Sequence, residues 1–163
     1  MLQTGFTRVK LLISSLLPSF FGLPPGGNVA SIRQGGRDAL TDGFTASGED
    51  VAILVKTDGG EVRGSALNNA GARVNHATVV LVPEGPLRNR SDSQNVYRVE
   101  AGDQNGAFEF TRVIPGDYRL YASTELQPGA HTDSNFMKPF EERGKPIHIG
   151  SSARLSVDVQ LVK

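Results

Sequence analysis

Apolar and polar residues alternate with a period of two through several short runs of this chain. In Glu61–Leu67, the positions Val62, Gly64 and Ala66 share one face. Phe108 and Phe110 point to one side of Ala107–Val113, and Tyr118, Leu120 and Ala122 to one side of Asp117–Ser123. Arg154–Val162 sets Leu155, Val157, Val159 and Leu161 against Ser156, Asp158 and Gln160. That pattern predicts a half-buried strand whose sheet meets solvent on one face. Ala77–Val82 is apolar on both faces, which predicts a central strand ended by Pro83. Val51–Val55 is a β-branched run that suits a buried strand.

Turn residues separate these runs. Asp58-Gly59-Gly60, Asn68-Asn69-Ala70-Gly71 and Pro115-Gly116 each reverse the chain. Asn105-Gly106, between Val96–Glu100 and Gly106–Val113, predicts a two-residue type I′ hairpin, because both residues tolerate positive φ. Val29–Arg33 is a further strand, turned by Gly35-Gly36, and Asp38–Glu49 reads as a connector. Glu84–Asn95 reads as an exposed loop. Ser134–Arg143 is the one helical candidate, and Pro139 limits it to a turn or two. The predicted fold is all-β: an antiparallel, Greek-key-like sandwich of seven or eight strands. Its expected core is Val79, Leu81, Phe108, Phe110, Leu120, Val157 and Val159.

The 163 residues suffice for one domain of ordinary size with some to spare. With 17 basic and 17 acidic residues, the chain has no electrostatic reason to bind nucleic acid or an anionic membrane. It has no cysteine, which excludes disulfides, thiolate metal sites and cysteine nucleophiles. Near the start, Arg8 and Lys10 precede the apolar run Leu11–Leu17, then Pro18, Phe20 and Phe21. This order suits a secretory signal or anchor, although no small-x-small cleavage site follows. The run is shorter than the ~20 apolar residues of a membrane span. The alternative is a remnant at a shortened gene start; Pro18 speaks against a core strand or helix. Residues 1–27 thus form a signal-like or remnant segment and a Pro/Gly linker. Membrane attachment would follow only if that segment is an anchor.

Four segments carry a family resemblance: Val62-Arg63-Gly64-Ser65-Ala66, Ala77-Thr78-Val79-Val80-Leu81, Asp103-Gln104-Asn105-Gly106-Ala107-Phe108, and Val113-Ile114-Pro115-Gly116-Asp117-Tyr118-Arg119-Leu120. In order and spacing they resemble the carboxypeptidase regulatory-like domain, a transthyretin (prealbumin-like) sandwich with a carbohydrate-binding-like fold. The resemblance covers residues 51–163. Gln127–Ala130, Phe136, Phe140–Gly144 and Ile147 are similar to modules at the C-terminal end of large extracytoplasmic bacterial proteins built from tandem sandwiches. Gly22–Gly26 and Ser31–Arg33 resemble the last strand of a preceding sandwich, so residues 28–50 are expected to be that strand and a connector. The resemblance implies a secreted, periplasmic or cell-envelope protein and no catalytic residues or cofactor. The family usually has a glycine where this chain has His76, so the turn at Asn75-His76 is expected to differ.

No chemical constellation competes with that reading. His76, His131 and His148 lie in separate segments without zinc-site spacing. Asp103-Gln104-Asn105-Gly106 lacks the later ligands of a calcium loop. Glu49-Asp50 and Glu141-Glu142 are adjacent pairs whose side chains diverge, and no Gly-x-Ser-x-Gly elbow exists. Arg88 and Arg90 could hold a carboxylate or phosphate. Tyr97, Tyr118 and Tyr121 are the candidates for sugar stacking, Tyr121 above all because it lies opposite Tyr118 and Leu120 and is expected to be exposed. The chain has no tryptophan, however, to build a flat aromatic platform. The expected function is therefore a non-enzymatic structural or protein-interaction module. Its expected partner is a neighbouring sandwich domain or another protein, with carbohydrate binding as the alternative.

Overall fold

The computed structural model describes residues 10–14, 17–21, 23–45, 49–90, 96–126, 140 and 142–162, with side chains described from residue 23 onward. Strands β1 (Lys10–Ser14) and β2 (Leu17–Phe21) pair antiparallel, with Ile13 opposite Pro18. Both strands of a two-stranded ribbon have a free edge, which is where a strand tolerates proline.

A three-stranded sheet follows, in the order β4-β3-β5. It comprises β3 (Asn28–Gln34), β4 (Arg37–Asp38) and β5 (Val51–Lys56), with the single-turn helix α1 (Ala39–Asp42) after β4. Asp38 caps that helix, its Oδ1 accepting from the Leu40 amide at 3.0 Å. Val29, Ile32, Ala39 and Leu40 form a small core, with Leu23, Phe44 and Ile53 packed against it. Buried Gln34 pins the connector by donating to the Thr45 carbonyl (2.6 Å) and accepting from the Thr45 amide (2.9 Å). Strand β5 departs from expectation. Among the described residues it pairs only with β3, not with the sandwich, and leaves Val51 38% and Leu54 52% exposed. A β-branched run fits a pleated ladder whether or not both of its faces are covered.

The remaining strands build an all-β sandwich. They are β6 (Gly60–Leu67), β7 (Thr78–Pro83), β8 (Arg98–Ala101), β9 (Ala107–Val113), β10 (Gly116–Ser123), β11 (Lys145–Ile149), β12 (Arg154–Ser156) and β13 (Val159–Gln160). One sheet runs β11-β10-β7-β8. In the other, β9 pairs antiparallel with β6, whose opposite edge takes β12 and then β13 in parallel. Between the sheets lie Val62, Val79, Leu81, Phe108, Phe110, Tyr118, Leu120, Ile149 and Val159. The rings of Phe108 and Phe110 meet edge to face, with centroids 5.8 Å apart.

Three expectations need correction. The final strand is interrupted at Val157-Asp158, where the Asp158 carboxylate accepts from the Ser65 amide at 2.8 Å. Val157 is therefore half-buried at the rim of the core. Glycine is needed beneath it, because a Cβ on Gly64 would lie 1.8 Å from the Val157 carbonyl oxygen. Secondly, Val96–Glu100 and Gly106–Val113 do not form a hairpin ladder, because β8 and β9 lie in different sheets. Alternation shows which face is buried but not which strand lies alongside.

The third correction concerns the turn itself. Gly106 has φ +73°, while Asn105 does not take the positive φ that a type I′ turn demands. Instead the Gly106 amide donates to the Asp103 carbonyl at 3.0 Å, and Asp103 Oδ1 accepts from the amides of Asn105 (2.7 Å) and Ala107 (2.9 Å). The expected helix lies mostly outside the described residues; at its end, the Arg143 amide donates to the Phe140 carbonyl at 2.9 Å.

Candidate functional site

Arg88 lies on a 3₁₀ turn (Gly85–Asn89) and Arg90 immediately follows it. Arg90 is turned inward, not displayed for a ligand: it is 9% exposed and its Nη2 donates to the Val29 carbonyl at 2.9 Å. It thereby ties the sandwich to β3. Arg88 is half-buried beside it in sequence. Tyr121, expected at the surface, is only 3% exposed. It packs with Val80 and Val82, covered by Tyr97, Leu126, Phe140 and Val162. Gly144 fits against the ring, where a Cβ would come within 2.4 Å of Tyr121 Cε1. The structure thus brings Tyr97 and Tyr121 together in a second, outer core. The signal was in Ala77–Val82: Tyr121 stands opposite Val80, on the outer face that this all-apolar strand already required to be covered.

The described histidines stand apart. His76 is exposed, and His148 Nδ1 lies 2.7 Å from Asp117 Oδ1, directly across the β10–β11 ladder on its exposed face. His131 lies outside the described residues. The Asp103 carboxyl, which accepts the backbone amides of Ala107 and Asn105, is held below the ordinary aspartate range by them. Its oxygens serve the turn.

Asp58 is a residue that sequence reasoning registered only as a turn former. Its Oδ1 accepts from Asn28 Nδ2 at 2.8 Å, and its Oδ2 from the Ser151 hydroxyl at 3.2 Å. Its carbonyl accepts from the Ser152 amide at 2.7 Å, and the next amide, of Gly59, donates to Gly26. Asp58 and Arg90 are thus two polar ties that hold the three-stranded sheet on the sandwich. The Asn28 hydrogen bond is the main reason the Asp58 carboxyl lies below its ordinary value, with burial opposing it.

Among the described residues the surface offers a strand edge and a shallow groove beside Leu161. The groove, about 360 Å³, is lined by Asn69, Arg143, Gln160, Leu161 and Val162. The exposed large apolar side chains among the described residues are Val51, Leu54 and Val99; the first two lie on β5 and the third on the edge strand β8. Among the described residues no helix is long and apolar enough to cross a membrane.

No protein-family model matches the sequence, and no curated protein is significantly similar to it. Similar solved structures include the Bacillus anthracis TIE protein (11% identity, TM-score 0.40, covering 69% of this chain and 19% of that one). Others are a DUF3823 family protein from Parabacteroides merdae (14%, 0.39, covering 62% and 44%) and a streptococcal ancillary pilin (16%, 0.39, covering 72% and 41%). The chain spans less than half the length of each of these three proteins. At such TM-scores these likenesses carry no argument, and the sandwich rests on its own strand pairing.

Proposed function

We propose that this chain is a non-catalytic structural or protein-interaction module of an extracytoplasmic bacterial protein, of the carboxypeptidase regulatory-like type. The observation that carries this reading is the edge strand β5. The sandwich interior is filled by side chains such as Tyr118, Phe110, Leu81 and Leu120, all at 0% exposure, whereas β5 presents Leu54 and Val51 to solvent. The Asp58 and Arg90 ties, which end on Asn28 and Val29 of β3, fix the sheet that carries this edge to the sandwich, as a contact surface requires. The four-segment resemblance supplies the family and the extracytoplasmic setting, and residues 28–50 correspond to the end of a preceding sandwich in tandem relatives. Carbohydrate binding is the weaker reading, since Tyr121 is sealed beneath Tyr97 and Phe140.

Two measurements test this. Antibody raised against the purified chain should locate it outside the cytoplasm when cells of the source bacterium are fractionated; recovery wholly in the cytoplasmic fraction overturns the extracytoplasmic setting. The purified chain should bind no immobilised oligosaccharide. Saturable binding abolished by Tyr97→Ala would overturn the interaction-module reading in favour of the carbohydrate one.

A further inference from the structure

We propose that the free edge of β5 pairs antiparallel with the same edge of a second copy of this chain, with Ile53 opposite Ile53. This rests on the interaction-module reading and names its partner. Among the described residues, strand β5 is bonded on one side only, to β3. Val51–Val55 contains no charge and no proline, the devices that ordinarily blunt an edge. Along the strand, Ala52, Leu54 and Lys56 share one face and are all exposed, whereas Ile53 faces the small core.

The register follows from strand geometry. Successive residues direct their N–H and C=O groups to alternate edges of a strand. Two identical strands related by a two-fold axis can therefore pair only with odd positions opposite odd and even opposite even. The two-fold then passes through a residue, which near the middle of this edge means Ala52, Ile53 or Leu54. Centring on Leu54 sets Asp50 against Asp58, and centring on Ala52 sets Asp50 against Leu54. Centring on Ile53 sets Asp50 against Lys56 at both ends and Ala52 against Leu54 between them. Opposite charges and apolar side chains directly across a ladder both stabilise it. The acid-apolar-base order of this edge thus complements itself, which favours a second copy over an unrelated strand. Pairing would join the two β4-β3-β5 sheets into one continuous sheet and cover Leu54.

Sedimentation equilibrium of the full chain over a wide concentration range tests this. The expected result is a monomer–dimer equilibrium that weakens with added salt. Lys56→Asp should raise the dimer Kd about tenfold or more, by placing like charges opposite each other twice. Asp50→Lys should do the same without altering the charge near Asp58. The double variant Asp50→Lys/Lys56→Asp should return Kd to within about threefold of the original, since the pairs are re-formed with signs exchanged. Circular dichroism melts establish that each variant is folded. A chain that stays monomeric throughout overturns the proposal, leaving the edge to a strand of a different protein. So does a dimer indifferent to every charge change, or one that the double variant fails to restore. A monomeric chain that fractionates outside the cytoplasm overturns the self-pairing and leaves the module reading standing; a dimeric chain confined to the cytoplasm does the reverse.

Discussion

The phenol of Tyr118 donates a hydrogen bond to the Ile114 carbonyl 2.8 Å away, and both residues are buried. The bond closes the turn that carries the chain from one sheet to the other, between β9 and β10. Tyr118→Phe keeps the ring and removes the bond, so it should cost about 1 kcal/mol in chemical denaturation. Phe110→Ala, in the same core at 0% exposure, should cost about 3–5 kcal/mol, enough to unfold a domain of ordinary stability. Near-equal losses for the two would mean that the Phe110 site collapses around the smaller residue.

Gly106→Val should be far more damaging than Ala107→Val. Gly106 has φ +73°, and a Cβ there would lie 2.7 Å from the Val74 carbonyl oxygen, whereas Ala107 is already in extended strand. The difference should be about 1–3 kcal/mol, read from paired urea titrations. Equal tolerance would contradict the turn described here.

His76 stands at φ 53°, in the left-handed region that a bulky side chain resists. In that turn the His76 amide donates to the Asp103 carbonyl at 3.2 Å. His76→Gly should therefore stabilise the protein by about 0.5–1 kcal/mol, net of the added freedom of glycine in the unfolded chain. A lower denaturation midpoint in the variant would show that the imidazole contributes more than its backbone strain costs.

The strand faces were legible because each needs only local alternation: Phe108/Phe110 and Tyr118/Leu120/Ala122 turn inward as their spacing requires. Partners were not legible. Nothing in Val96–Glu100 says that its neighbour is β7 rather than β9, because the choice depends on which way the chain leaves Asp103–Gly106. Leu54 was read as buried for a similar reason, since β-branched composition reports fit to a ladder and not cover above it. Arg90 looked like a loop cation because no sequence pattern marks the Val29 carbonyl, 61 residues away, as its acceptor.

Acid should loosen the tie at Asp58. Its folded-state pKa lies below the unfolded value, so its contribution is full above the unfolded pKa and disappears as pH falls through the folded one. The window therefore lies below about pH 4. The side-chain amide resonances of Asn28 should shift through that window, and Asp58→Asn should abolish the transition. Shifts that persist in Asp58→Asn would assign the titration to another carboxylate.

The parallel seating of β12 and β13 on β6 also determines how the module would bear tension. A pull applied through residues 60 and 162 slides the first and last strands of the sandwich past each other in opposite directions. The links from Glu61 to Ala153, Val157 to Arg63 and Leu161 to Leu67 are then strained together rather than opened one after another. Load entering through those two ends would meet this sandwich in its stiff direction.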